Sequence, residues 1–364
     1  MVPGDYYLFR NHHTNASSAL MQSQKMADNF HHCYIFSNFA KTDCPNTMKK
    51  DLSISSIRLL SMFLIITCHI LQYHDNFLAW ILNVGVQIFL IISGYLYGTK
   101  KIGSTYQFLI KQFKKILVPY WTFLFFAITM YAIFQPQYIN KDIVTKSLLT
   151  IGTIEGIGHL WFIRYILLCY LLVPLLNHIR DRVKNSTQLL FAALLTMLAT
   201  ELLFIKATIF TGVYINCFVL GYFMKNFEEL EKRENKRNIL YLFITILAAA
   251  MNFTKFGILA DFIPEIENKF QEHLLMTYSH LLLGAMIFIL LHKFVQLNKE
   301  YTILKLSDKY SYHIYLVHQF FILSPFTVMT LTGYSTLNVL LVYITSCLGG
   351  YLLYKTSNVN FKKH

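Results

Sequence analysis

Apolar residues gather in ten runs along the chain, each near the length of about 20 residues that a helix needs to cross a bilayer. The runs cover approximately 54–72, 79–98, 116–135, 160–176, 187–205, 207–224, 238–253, 274–292, 310–327 and 335–354. The pattern predicts an all-α, polytopic membrane protein with about ten transmembrane helices in one bundle. The fifth and sixth runs are separated by little more than Lys206, which predicts a tight hairpin, and the seventh is short. No heptad, solenoid period or inverted repeat is evident. Residues 1–47 stand apart: they are polar and irregular, with no long apolar core, so they are not a signal peptide. Met48-Lys49-Lys50, followed directly by an apolar run, has the form of a natural start. The expectation is a disordered or mis-called extension over 1–47 and one transmembrane domain over 48–364.

The polar segments between the runs alternate in basic content. Twenty-two Lys and Arg residues fall at the two ends and in the even-numbered connections, against five (Lys141, Lys146, Lys206, Lys255 and Lys269) on the other side. By the positive-inside rule both termini face the cytoplasm of a plasma (inner) membrane protein, and an even number of spans is required.

Composition narrows the class further. Charged residues make up 14% of the chain and hydrophobic ones 55%, where a soluble domain carries roughly 25% charged. A soluble globular enzyme, a disordered chain and a disulfide-framed secreted module are therefore excluded. The net charge of +13 would point a soluble protein toward nucleic acid. In a membrane protein it follows from the basic cytoplasmic loops, so no nucleic-acid partner is expected. The six cysteines form no CxxC pair and mostly lie in apolar runs, which reads as packing. His12-His13 and His31-His32 lack ligand spacing, and no metal is expected.

Ionisable residues inside membrane helices are functional candidates by default. The first run holds Arg58 and His69, eleven residues apart. At 100° per residue they come within about 20° of each other on one helix face, separated by roughly 16 Å along the axis. The fourth run opens on Gly158-His159-Leu160-Trp161, with Arg164 one turn on. Trp at a helix end is commonly an interfacial anchor, but Arg164 needs a partner or a water-filled cavity. In the second run, Ser93-Gly94 offers a small face for close helix approach. Lys111, Lys114 and Lys115 lead at helical spacing into the third run, with Pro119 near its start. Such a cluster contacts anionic lipid or holds the phosphates of a soluble ligand. The ninth run carries Ser311-Tyr312, Tyr315 and His318.

Together these segments resemble the membrane-bound acyltransferase-3 family, the integral-membrane acyltransferases that decorate surface carbohydrates. Arg58 with His69 is similar to the family's first-helix Arg and His. Phe89–Tyr95 looks like its Phe-rich Ser-Gly-Tyr stretch, His159–Phe162 like its His-Leu-Trp-Phe motif, and Ser311-Tyr312 with Tyr315–His318 like its Ser-Tyr and Tyr-Leu-x-His signature. The resemblance runs from about Met48 nearly to the C-terminus. The lysines at 111, 114 and 115 stand where the family often has arginines, which keeps charge but loses bidentate phosphate recognition.

The resemblance implies acyl-CoA as donor substrate, most often acetyl-CoA, and a hydroxyl of a cell-surface or lipid-linked carbohydrate as acceptor. Arg58 would lie near the donor's phosphate end with Lys111, Lys114 and Lys115, and His69 near the thioester. His69 would be general base, with an acyl-histidine relay as the rival mechanism. His159, Trp161, Arg164, Tyr315 and His318 fall to acceptor binding or oxyanion stabilisation. The alternative is a transporter or flippase for a lipid-linked glycan or exopolysaccharide, a class that usually shows repeat halves or paired broken helices.

Overall fold

The computed structural model describes residues 51–204, 211–255, 269–295 and 297–359. The expectations for 1–47 and for the hairpin at Lys206 lie outside the described residues. Among the described residues the ten apolar runs become ten helical segments, and there is no strand. They are α1 (Leu52–Tyr73), α2 with α3 (Leu78–Leu82 and Val84–Tyr97), α4 (Thr105–Phe134), a 3-10 turn at Gly158–Trp161 leading into α6 (Phe162–Arg180), α7 (Ser186–Phe204), α8 (Gly212–Leu230), α9 (Glu234–Lys255), α10 (Lys269–Phe294), α11 (Thr302–Val317) with a 3-10 turn at His318–Phe321, and α12 (Ser335–Val359). The connection after α4 also folds, into a short helix α5 (Lys141–Leu148).

Seven of these segments are long and apolar enough to cross a membrane. Three are not. At 16 residues α11 is too short, α8 carries Lys225, Glu228 and Glu229, and α9 starts on Glu234, Lys236 and Arg237. The chain is an all-α polytopic membrane protein. Along α7, Phe191, Leu194, Leu198 and Leu202 stay exposed, as a lipid-facing surface requires.

Local chemistry sets the helix ends. Asp51 caps α1 by accepting the Ser53 amide at 3.0 Å, Ser104 caps α4, and Asn140 caps α5 through the Ile143 amide at 2.9 Å. Two boundaries differ from expectation. The third span begins eleven residues before the apolar run, so Lys111, Lys114 and Lys115 lie inside α4. A helix of 30 residues is about 45 Å long and exceeds a bilayer core of about 30 Å, so its first turns project into water. The ninth run does not continue as helix to 327. Ser324 precedes Pro325, which disfavours helical backbone, and the Ser324 hydroxyl instead accepts the Phe326 amide.

At the centre of the bundle, α3 packs against α1, α8 and α10. Its contact with α8 is the tightest. A Cβ at Gly94 would collide with the Phe218 carbonyl, and one at Gly221 with the Ile91 carbonyl. The small face expected at Ser93-Gly94 is thus a backbone-to-backbone crossing.

Candidate active site

Parallel packing of α1 and α11 builds the site. In the first half of α1, Arg58 pairs with Asp308 of α11. Eleven residues later, His69 meets Gln319, one turn beyond the end of α11. Both contacts join residues 250 positions apart, so the two helices hold one register over three turns. Arg58 is 4% exposed and Asp308 2%, and the Ser55 hydroxyl donates to the second Asp308 oxygen at 2.7 Å. The sequence put Arg58 at the donor's phosphate end. In the structure its guanidinium pairs with a buried carboxylate, which balances the intramembrane charge within the protein.

Three histidines from three segments converge at the other rung. The turn at Gly158–Trp161 brings His159, and the turn at His318–Phe321 brings His318. Ring centroids are 5.1 Å apart for His69 and His318, 4.7 Å for His159 and His318, and 6.3 Å for His69 and His159. His159 and His318 are buried, while His69 keeps partial exposure. Gly156, with φ +79°, makes the bend that leads into the His159 turn and rests on Ser324.

Neutral amides hold the rings in place. The Gln319 side-chain oxygen accepts the His159 backbone amide at 2.8 Å and lies 2.7 Å from His159 Nδ1. That contact turns the Gln319 amide nitrogen toward His69, at 3.2 Å. His69 Nδ1 makes a much shorter contact, 2.5 Å, with Gln72 Oε1. Tyr315 donates its hydroxyl to the His159 carbonyl at 2.5 Å and packs edge-on to His159 and tilted against His318. Asp308, Gln72 and Gln319 were not singled out in the sequence. Among the described residues, no group of three His, Cys, Asp or Glu side chains is arranged to hold a metal ion.

The other expected residues lie outside the trio. Trp161 follows His159 by two positions but turns into an aromatic group with Tyr165 and Tyr214, at 5.3 and 4.5 Å between centroids. Arg164 donates to the Ile151 carbonyl and lies 5.5 Å over the Tyr165 ring. Of the α4 lysines, Lys111 and Lys115 come together with Lys100, which the sequence did not group with them; Lys114 is exposed. Asn177 donates to the Lys100 carbonyl at 3.2 Å and Arg180 to the Gly98 carbonyl at 3.0 Å, clamping the connection between α3 and α4. Burial, and then the Lys111 ammonium, hold Lys100 below the usual lysine range.

At the opposite end of α1 lies a second polar cluster. Ser53 donates to Asp51 at 2.5 Å and touches His292 Nδ1 at 2.7 Å. Tyr95 donates to Glu228 at 2.5 Å and touches His292 Nε2 at 2.9 Å. Tyr241 donates to the other Glu228 oxygen at 2.6 Å. A pocket of about 300 Å³, lined in part by Glu228, Arg237, Tyr241 and Lys293, opens beside it.

No curated protein and no solved structure matches the chain. A family model, Acyl_transf_3, described as an acyltransferase domain, matches residues 51–355. The match takes in every helix from α1 to α11 and most of α12, with both rungs between α1 and α11 inside it. This chain, an integral-membrane acyltransferase, belongs to the acyltransferase-3 family.

Proposed function

We propose that the protein moves an acyl group, most often acetyl, from acyl-CoA to a hydroxyl of a cell-surface or lipid-linked carbohydrate. The observation that carries this reading is the histidine trio. An imidazole that is reachable in an otherwise buried cluster suits proton removal from a hydroxyl as it attacks a thioester. His69 is the reactive member, because it is the one not fully enclosed.

With both termini in the cytoplasm, Lys100, Lys111 and Lys115 lie on the donor's side of the membrane. Three mutually repelling ammonium groups favour a polyanion, and the nucleotide end of acyl-CoA is one. Arg58, held by Asp308, serves to keep α1 and α11 in register. The polar and aromatic groups around Trp161 and Arg164 lie on the outer side, where a carbohydrate arrives.

The test uses purified full-length protein, acetyl-CoA labelled in the acetyl group, and membranes from the host. The expected result is CoA release with label in the carbohydrate or glycolipid fraction. Absence of both CoA release and labelling would overturn the reading. A reporter fused after His364 should behave as cytoplasmic, and one placed in 136–158 as external.

A further inference from the structure

Hydrogen counting separates the three histidines. A neutral imidazole carries one N–H and one lone pair, and the partner of the first fixes where the second lies. His318 Nδ1 lies 2.7 Å from the Tyr315 carbonyl oxygen, which can only accept, so Nδ1 carries the hydrogen. Its Nε2 is then a lone pair, and that atom is buried without a hydrogen-bond partner. His69 Nδ1 faces the Gln72 Oε1 acceptor at 2.5 Å and the Gln319 Nε2 donor at 3.2 Å; the shorter contact requires hydrogen on Nδ1, which leaves its own Nε2 as a lone pair. His159 differs from both. Its nitrogens face Gln319 Oε1 and the Leu316 carbonyl, so both are turned to protein atoms and neither is open to a substrate.

The cluster therefore holds two basic nitrogens, one reachable and one enclosed, with ring centroids 5.1 Å apart. A single direct transfer needs only one base. We propose that the two divide the reaction, with His69 Nε2 as the nucleophile that carries the acyl group and His318 Nε2 as the base for the acceptor hydroxyl. This rests on the acyl-CoA reading above and goes beyond it by assigning His318.

In the first step His69 Nε2 bonds to the thioester carbonyl carbon. The C–S bond breaks, and CoA leaves as thiolate with the electron pair. In the second step the acceptor oxygen bonds to the same carbon while His318 Nε2 takes the hydroxyl proton. The C–N bond breaks and its electron pair returns to His69. His318 then passes the proton to the thiolate or to water, and both rings regain their starting form. Oxyanion stabilisation by His318 does not fit this tautomer, because the atom it offers is an acceptor rather than a donor.

The test reads CoA release by purified full-length protein with acetyl-CoA and no acceptor. Wild type should release about one CoA per protein in a burst and then slow. His69→Gln should show no burst. His318→Asn keeps a donor for the Tyr315 carbonyl, and His318→Gln places an amide near the Nε2 position, so both preserve packing. Both should keep the burst yet lose steady acceptor-dependent turnover by about 10²-fold or more. Acceptor-dependent transfer by wild type without any burst would overturn the relay and leave the acyltransfer reading standing. His318 variants that turn over normally, or that lose the burst along with turnover, would overturn the assignment of His318 as base. A wild-type burst with no label reaching carbohydrate would support the relay and overturn the carbohydrate acceptor.

Discussion

Histidines sit at both ends of α1, and their surroundings differ in kind. At one end, His292 has both ring nitrogens engaged by the hydroxyls of Ser53 and Tyr95, each backed by a carboxylate. At the other end, His69 and His318 are each tied by one nitrogen, to an amide or carbonyl oxygen, and the second is left open. Saturation makes a ring a structural joint. A ring tied on one side only has its orientation set and its chemistry still available. A pocket of about 300 Å³ opens beside His292, but the histidine exposed to it has no spare valence in its hydrogen bonds.

Mutating the two ends should give opposite signatures. The largest effect is expected at His69: replacement by Ala should cut transfer by about 10²–10⁴-fold, measured per membrane-inserted protein, with normal accumulation. Near-normal turnover would erase the distinction between the two ends. Next comes the ion pair. Arg58→Ala should destabilise the protein by about 3–5 kcal/mol, because Asp308 would keep a buried charge without its partner. The double change Arg58→Ala with Asp308→Ala should recover part of the loss in thermal melts in detergent. A full-sized defect in the double variant would remove the pair from the register argument.

His292→Ala should cost about 1–3 kcal/mol, by leaving the Ser53 and Tyr95 hydroxyls short of a partner, while kcat per folded protein stays unchanged. A fall in kcat would mean that the saturated histidine is reactive after all. The smallest effect is expected from Lys100→Met, a several-fold rise in KM for acetyl-CoA at fixed kcat. Its pH dependence has a definite sign. Because burial and Lys111 favour the neutral form of Lys100, a bound phosphate should draw a proton onto it. Donor affinity should therefore fall as pH rises through that lowered range, and do so at lower pH than for an ordinary lysine. The Met variant should lose this component.

What the sequence revealed follows from periodicity. Eleven steps at 100° put Arg58 and His69 on one face, and both do face α11. Asp308 escaped notice because it precedes the apolar run at 310 and lies between Lys305 and Lys309, where an acid reads as a solvated helix end. Its signal was the same eleven-residue step, from Asp308 to Gln319. Gln72 and Gln319 carry no charge and give no anomaly in an apolar stretch, yet they hold the His69 and His159 rings in place. The convergence of His69, His159 and His318 depends on three segment ends meeting, and Lys100 joins Lys111 and Lys115 only because Asn177 and Arg180 fold the chain back. Contacts of that range leave no local trace.

The shared offset of 250 positions between α1 and α11 limits how the gene can change. One codon inserted between positions 58 and 69 would rotate everything beyond it by about 100° and lift it by about 1.5 Å, swinging His69 away from His318 while Arg58 stayed with Asp308. The matching insertion in α11 alone would do the same to His318. Point substitutions can drift independently along these two helices, but a change of length in one is tolerable only if the other changes with it.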